Sequence, residues 1–339
     1  MVLSKLIPKK FSLKINAVIS RLARARRLMK AKPINVADGI NRVKLSNGAD
    51  IYAWMEIADF AIQDKKFSNE LLQTLENHDG ICEDYATLNH LSEILRSYSD
   101  QLKKEANNLT LDNYSKITEK VIFEVIKLKA IYQCRDAHTE GGYYAAAEES
   151  MDWQWDRLIY PVIKEFDFTK VLELAPGHGR NTNKLRKLSK EITLVDVNKT
   201  CIDACKARFG TQMEGCQFHY AVNNGSQLKM IPDKSISTIY SFDSMVHFDK
   251  TIVREYLHEF KRILAPNGKG FLHHSNYGSI APNSDWAKNP GNRSDMSAKL
   301  FRTYTEEAGL SVISQKLHGL AEGRGIEGLD CVSVIHQTT

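Results

Sequence analysis

The chain has 339 residues, 42% of them hydrophobic and 26% charged, with a formal net charge of +5. That is enough apolar material for a full α/β domain plus a smaller unit, and it excludes a chain that is disordered throughout. Six cysteines without a C-x-x-C pair read as reduced, partly buried thiols rather than a disulfide framework or a zinc site. No apolar run is long enough for a membrane span or a secretory signal.

The positive charge is concentrated in one stretch, because Met1 to Lys32 holds ten Lys or Arg and no acid. Phe11, Ile15, Val18, Leu22, Ala25 and Met29 recur at four- and three-residue steps, which predicts an amphipathic helix over 1–32. Such a helix can lie on an anionic membrane surface, hold an acidic partner, or pack on the rest of the protein or a second copy. With one aromatic and no recognisable motif, the segment is not expected to bind nucleic acid.

Residues 33–137 are expected to be mostly helical. The alternation around Asn47-Gly48 predicts a small hairpin, followed by helical spacing over 57–75, 85–102 and 114–132. The region carries no chemical motif, and its expected role is a cap, a self-association element or part of a substrate platform. Paired glycines in His138-Thr-Glu-Gly-Gly-Tyr-Tyr interrupt the pattern, and a helix rich in aromatics is expected from Met151 to Phe166.

Val171-Leu-Glu-Leu-Ala-Pro-Gly-His-Gly-Arg-Asn-Thr182 reads as a buried strand, a tight turn and a helix start. Gly177 and Gly179 let the backbone bend and approach a ligand, and the helix opening near Asn181 and Thr182 is expected to offer N–H groups. A dinucleotide fingerprint would place a third glycine where Thr182 stands, which weakens a dehydrogenase reading. Ile192-Thr-Leu-Val-Asp-Val-Asn198 is a second strand. It ends in Asp196, about 20 residues past the glycines, where a carboxylate can accept both ribose hydroxyls.

Glu173, Gly177, Gly179 and Asp196 together resemble the first two motifs of class I S-adenosylmethionine-dependent methyltransferases. The resemblance covers about residues 150–339. It implies a Rossmann-like α/β fold with a seven-stranded sheet, helices on both faces and an antiparallel final strand, as a methyltransferase domain over 138–339. The implied cofactor is S-adenosylmethionine, held by Glu173, Ala175, Gly177, Gly179, Asn181, Asp196, Val197, Ser241 and Phe242. It also implies a lid over 138–166, where Tyr143 would face the substrate and Tyr144 and Trp155 the sulfonium. Trp153 and Trp155 are equally compatible with ordinary packing.

A third strand, Gln217 to Val222, leads to Asn223-Asn224-Gly225, whose amides either read the adenine amino group or form a turn. The fourth, Ser237 to Asp243, runs into Ser244-Met-Val-His-Phe-Asp249, a helix over 252–264 and Ala265-Pro-Asn-Gly268. Carboxyl ends of parallel strands bind ligands in open α/β sheets, so 241–249 should face the transferred methyl. His247 stands where plant small-molecule O-methyltransferases carry their base. An imidazole there could add about 10²–10⁴-fold by deprotonating a hydroxyl; a structural role is the alternative.

His273 and His274 end the fifth strand and should face opposite sides of the sheet. With His247 and Asp243 they complete the candidate catalytic set, and no ligand spacing supports a metal. In the polar loop 277–295, Tyr277, Trp286 and Arg293, with His274, are candidates for a sugar or phosphate-bearing acceptor. A helix over 296–308 and strands over 310–317 and 331–336 complete the chain. The motifs also resemble methyltransferases of bacterial surface-polysaccharide synthesis. That implies O-methylation of a sugar, nucleotide-sugar or glycan hydroxyl by a cytoplasmic protein, held near the inner membrane face by residues 1–32. A phosphate, amine or small aromatic acceptor is the second reading, and a non-catalytic methyltransferase-fold scaffold the third.

Overall fold

In the computed structural model, the structure describes residues 127, 130, 131, 134, 135, 141–284, 286–319 and 326–337. The chain divides between residues 122 and 123, so all of these belong to one unit. The expected basic helix, the Asn47-Gly48 hairpin and the helices over 57–75 and 85–102 lie outside the described residues, as does most of 114–132.

The unit is built on one sheet. Its strands are β1 (Lys170–Leu174), β2 (Glu191–Asp196), β3 (Gln212–Met213), β4 (Cys216–Val222), β5 (Ile236–Ser241), β6 (Leu264–Ser275), β7 (Ser311–His318) and β8 (Asp330–His336), in the order β3-β4-β2-β1-β5-β6-β8-β7. β4, β2, β1, β5 and β6 run parallel, and β8 inserts antiparallel between β6 and β7. Seven strands are as expected. The eighth, β3, is a two-residue antiparallel edge on β4.

The central strands read as continuous apolar runs because both faces are covered. Leu172 and Leu174 of β1 join the core under α6 (Lys250–Ile263) and α7 (Ala298–Glu307), while Val171 faces the opposite core. That opposite core is packed by α5 (Lys199–Phe209) and by the run from α2 (Met151–Gln154) through a π turn (Trp155–Ile159) into α3 (Tyr160–Ile163). α6 shows why these sequences fold as they do. Ile252, Val253, Tyr256, Leu257, Phe260 and Ile263 form one buried stripe, and the Asp249 carboxylate accepts the Thr251 N–H at its start. Asn198 caps α5 in the same way, accepting from Thr200.

One local expectation is corrected. The Pro-x-Gly after α6 lies inside β6, where Asn267 takes φ +64° and the register with β5 shifts. The helix after the glycine turn is a single turn, α4 (Thr182–Leu185), and the Asn183 and Lys184 N–H groups donate to Gly179 and Asn181 carbonyls.

Candidate active site

A cleft opens at the carboxyl ends of β1, β2 and β5. The chain leaves β1 toward the β2 edge of the sheet and leaves β5 toward the β6 edge, the switch point at which open α/β sheets bind ligands. Its floor contains strained backbone: Ala175 and Asp243, each just past a strand end, hold φ of +56° and +58°. Non-glycine residues adopt that region only where their surroundings impose it.

Asp196 lies at one side, buried. Its carboxylate accepts the Asn198 N–H at 2.8 Å and the Gly177 N–H at 3.4 Å, and among the described residues it forms no ion pair. Burial outweighs these backbone donors and pushes its pKa up to about 6. Val197 and Gly225 line the same end with Ile131, Phe248 and Ile252, so the carboxylate borders an apolar wall. Gly177, at φ +57°, runs beneath the ring of Tyr144, and a Cβ there would stand 2.7 Å from Tyr144 Cε1. Tyr144 belongs to α1 (Gly141–Glu149). It stacks on His178 at 3.9 Å between centroids, and its hydroxyl meets Cys201 Sγ at 3.2 Å.

The opposite end is polar. Asp243 pairs with Arg180 at 2.6 Å. Burial would raise its pKa, but the charges of Arg180, His273, Arg293 and His247 outweigh that and hold the carboxyl below its usual range. His247 is buried to 7% exposure and lines the cleft. Its Nδ1 lies 3.0 Å from the Asn292 carbonyl, and its own carbonyl accepts the Trp286 indole N–H at 3.0 Å. Since a carbonyl only accepts, Nδ1 carries a proton, and whenever the ring is neutral Nε2 is its basic nitrogen.

The structure brings together Tyr144, Ala175, Gly177, Asn181, Asp196, Val197, Phe242, Asp243 and His247 around this cleft. Other expected site residues serve elsewhere. Glu173 is buried beneath the turn and accepts the Thr182 hydroxyl at 2.6 Å; burial drives its pKa up to about 8. Gly179 packs on Phe209. Asn223 donates to Gln227 O and Tyr256 Oη, and Asn224 accepts the Ser226 and Gln227 N–H groups, so the turn reading of this pair holds. Ser241 is buried and donates to the Leu174 carbonyl. Trp155 is a core residue of the π turn, which corrects its lid role.

The two adjacent histidines do point to opposite faces. His273 sits behind Asp243, whose backbone N–H it accepts at 3.0 Å. His274 is fully buried against Phe301 and held by Ser333 and the Ser275 carbonyl; burial lowers its pKa to about 3. It cannot reach the cleft. Arg293 makes a two-pronged buried pair with Asp330 at 3.0 and 2.9 Å, so its guanidinium is not offered to a phosphate. Trp286 braces His247 through the main chain, and Tyr277 is half-buried in a 3-10 turn; neither lines the cleft. The Tyr143 side chain lies outside the described residues. Arg180, His178, Ser244 and Ile131 do line it, although no local sequence pattern marks them.

The model of the methyltransferase domain family matches residues 171–268, the stretch that supplies most of this cleft. Residues 171–268 form an S-adenosylmethionine-dependent methyltransferase domain.

Similar solved structures include an S-adenosylmethionine-dependent methyltransferase from Clostridium acetobutylicum (13% identity, 59% of this chain and 100% of that one, TM-score 0.45). Another is a SAM-dependent methyltransferase from Methanosarcina mazei (15%, 53% and 98%, TM-score 0.43). A third is the PH0226 protein of Pyrococcus horikoshii (16%, 59% and 93%, TM-score 0.44). No curated protein matched the chain.

The methyltransferase cleft fits its cofactor. Asp196 is a buried carboxylate with no cation paired to it among the described residues, so it can accept from a ribose diol. The apolar wall beside it suits a purine. Among the described residues, no helix is long and apolar enough to cross a membrane.

Proposed function

We propose that this methyltransferase acts on a hydroxyl group, with His247 as general base. The carrying observation is the fixing of the His247 ring at the cleft wall through Nδ1–H to Asn292, which makes Nε2 its proton-accepting atom. When bound, S-adenosylmethionine supplies an electrophilic methyl carbon on a sulfonium leaving group. His247 Nε2 takes the acceptor's proton as its oxygen attacks, and the imidazolium later releases that proton to solvent. Asp243, held below the usual carboxylate range, favours the imidazolium electrostatically. Asp196 and Gly177 bind the nucleoside. Tyr144 with the apolar wall limits water around the reacting atoms.

The acceptor in this reading is a sugar, nucleotide-sugar or glycan hydroxyl. The motif resemblance and the polar side chains that Glu148, His178, Arg180, Asp243 and His247 contribute to the cleft lining support it. Trp286 and Arg293 no longer contribute to it. The basic residues 1–32 would keep the enzyme beside membrane-borne glycan assembly. The test is release of S-adenosylhomocysteine from S-adenosylmethionine with a panel of nucleotide sugars and glycans, set against amines, phosphates and catechols. Turnover with sugars, lost in His247→Ala while cofactor binding persists, is the expected result. Turnover confined to amines, phosphates or catechols overturns the sugar reading, and full activity of His247→Ala overturns the base.

A further inference from the structure

Arg180 follows the glycine turn, and its one guanidinium bridges three parts of the fold. One terminal nitrogen, Nη1, donates to the Ala147 carbonyl of α1 at 2.9 Å and to Gln154 Oε1 of α2 at 3.2 Å. The other, Nη2, donates to Asp243 Oδ2 at 2.6 Å. Arg180 and Asp243 are only 11% and 17% exposed, so each depends on the other to offset lost hydration. Asp243 is also the strained residue past β5, at φ +58°, and its N–H donates to His273. It opens the turn that carries Ser244 and His247, in which the His247 N–H donates to the Ser244 carbonyl. The cover over the glycine turn and the wall holding the base thus share one side chain. Nothing in the chemistry of methyl transfer requires that sharing.

We propose that Arg180 is a positioning residue that couples the seating of α1 and α2 to the placement of the 243–249 wall. The acceptor side of the cleft is then assembled only while the cover is closed. Opening the cover to exchange cofactor pulls the guanidinium from Asp243 and releases the strained turn, so the base is out of place whenever the cofactor can leave. This rests on the methyl-transfer reading for its purpose, but the coupling itself is a property of the chain.

The experiment is amide hydrogen exchange on the full chain, with and without S-adenosylhomocysteine, read at 141–154 and at 243–249. In Arg180→Gln, exchange should rise about tenfold in both segments, the size of an ordinary coupling between sites. Asp243→Asn leaves the bonds from Arg180 to Ala147 and Gln154 in place, yet it should also loosen 141–154. Arg180→Lys keeps the charge without the fork, and should fall between wild type and Arg180→Gln. With an active acceptor, Arg180→Gln should lower kcat about tenfold or more while the affinity for S-adenosylhomocysteine changes much less. The proposal is overturned if Asp243→Asn leaves 141–154 as protected as in wild type, or if Arg180→Gln loosens 141–154 alone. Should Arg180→Gln not fold, the Asp243→Asn outcome decides. If the wild type bound no S-adenosylhomocysteine, the cofactor reading would fail, while the coupling would still be read in the unliganded variants.

Discussion

Lowering the pH should weaken cofactor binding through a single carboxylate. Asp196 is buried, and its pKa is pushed up to about 6 because lost hydration outweighs its backbone donors. A diol donating two hydrogen bonds favours the ionised form, so the pKa must fall on binding and the ligand must capture the ionised fraction. At pH 7 and above that fraction is nearly complete and affinity is level. Below pH 6 affinity falls with each unit, so the dissociation constant at pH 5 should exceed that at pH 7 by about tenfold, or about 1.4 kcal/mol. Calorimetric titration with S-adenosylhomocysteine across pH 5 to 7 reads this directly. Methylthioadenosine, which lacks the titratable amino-acid portion, isolates the nucleoside end.

Asp196→Asn keeps the shape and removes the proton equilibrium. Its affinity should be lower at pH 7 and independent of pH across the same range, which separates Asp196 from His178, also in the cleft. A wild-type affinity that stays level from pH 7 to pH 5 would refute the reasoning, and so would a pH dependence that survives in Asp196→Asn.

Three further changes test other parts of the fold. Glu173 holds its proton up to about pH 8 when folded, against 4.5 in its unperturbed state, so the folded chain loses stability as pH rises between those values. The loss reaches about 3 kcal/mol by pH 7, and Glu173→Gln should abolish this slope in urea unfolding at pH 5.5, 7 and 8.5. Gly177→Ala meets both a left-handed backbone and Tyr144, whereas Gly210→Ala, at φ +63°, meets no atom within 4 Å. Gly210→Ala should therefore cost only the backbone penalty of about 1–2 kcal/mol, with unchanged cofactor affinity; Gly177→Ala should lose more stability and bind cofactor more weakly. His247→Gln should lower turnover by about 10²-fold or more and leave the affinity for S-adenosylhomocysteine near that of wild type, measured by the same calorimetry.

The parts of the fold legible in the sequence are those fixed by near neighbours. The apolar runs of β1 and β2, the stripe of α6 with its Asp249 cap, and the alternation that separates His273 from His274 all depend on residues a few positions apart. The end of the cleft lined by Gly177 and Asp196 was legible for the same reason, since both belong to one strand-turn-strand pattern. What escaped were side chains whose partners lie far along the chain. Arg293 has the chemistry to hold a phosphate, but Asp330, 37 residues on, takes its guanidinium in a buried pair. Arg180 carries no local signal because Asp243 stands 63 residues away. Trp155 met core rather than ligand because the π turn buries it, and the Asn223-Asn224 pair followed its turn propensity.

The insertion of β8 between β6 and β7 has a consequence for the order in which the molecule is made. During synthesis β6 emerges well before β8, so until then the side of β6 facing away from β5 is an open edge, and Arg293 lacks its counter-charge. β7 has no hydrogen-bonded place in the sheet either, because its ladder is with β8. A ribosome that stalls before Asp330 would therefore release a chain with the cofactor side of its cleft built and an unpaired edge ready to join other chains. Quality control should meet such products as aggregating species able to bind nucleoside, rather than as unfolded ones.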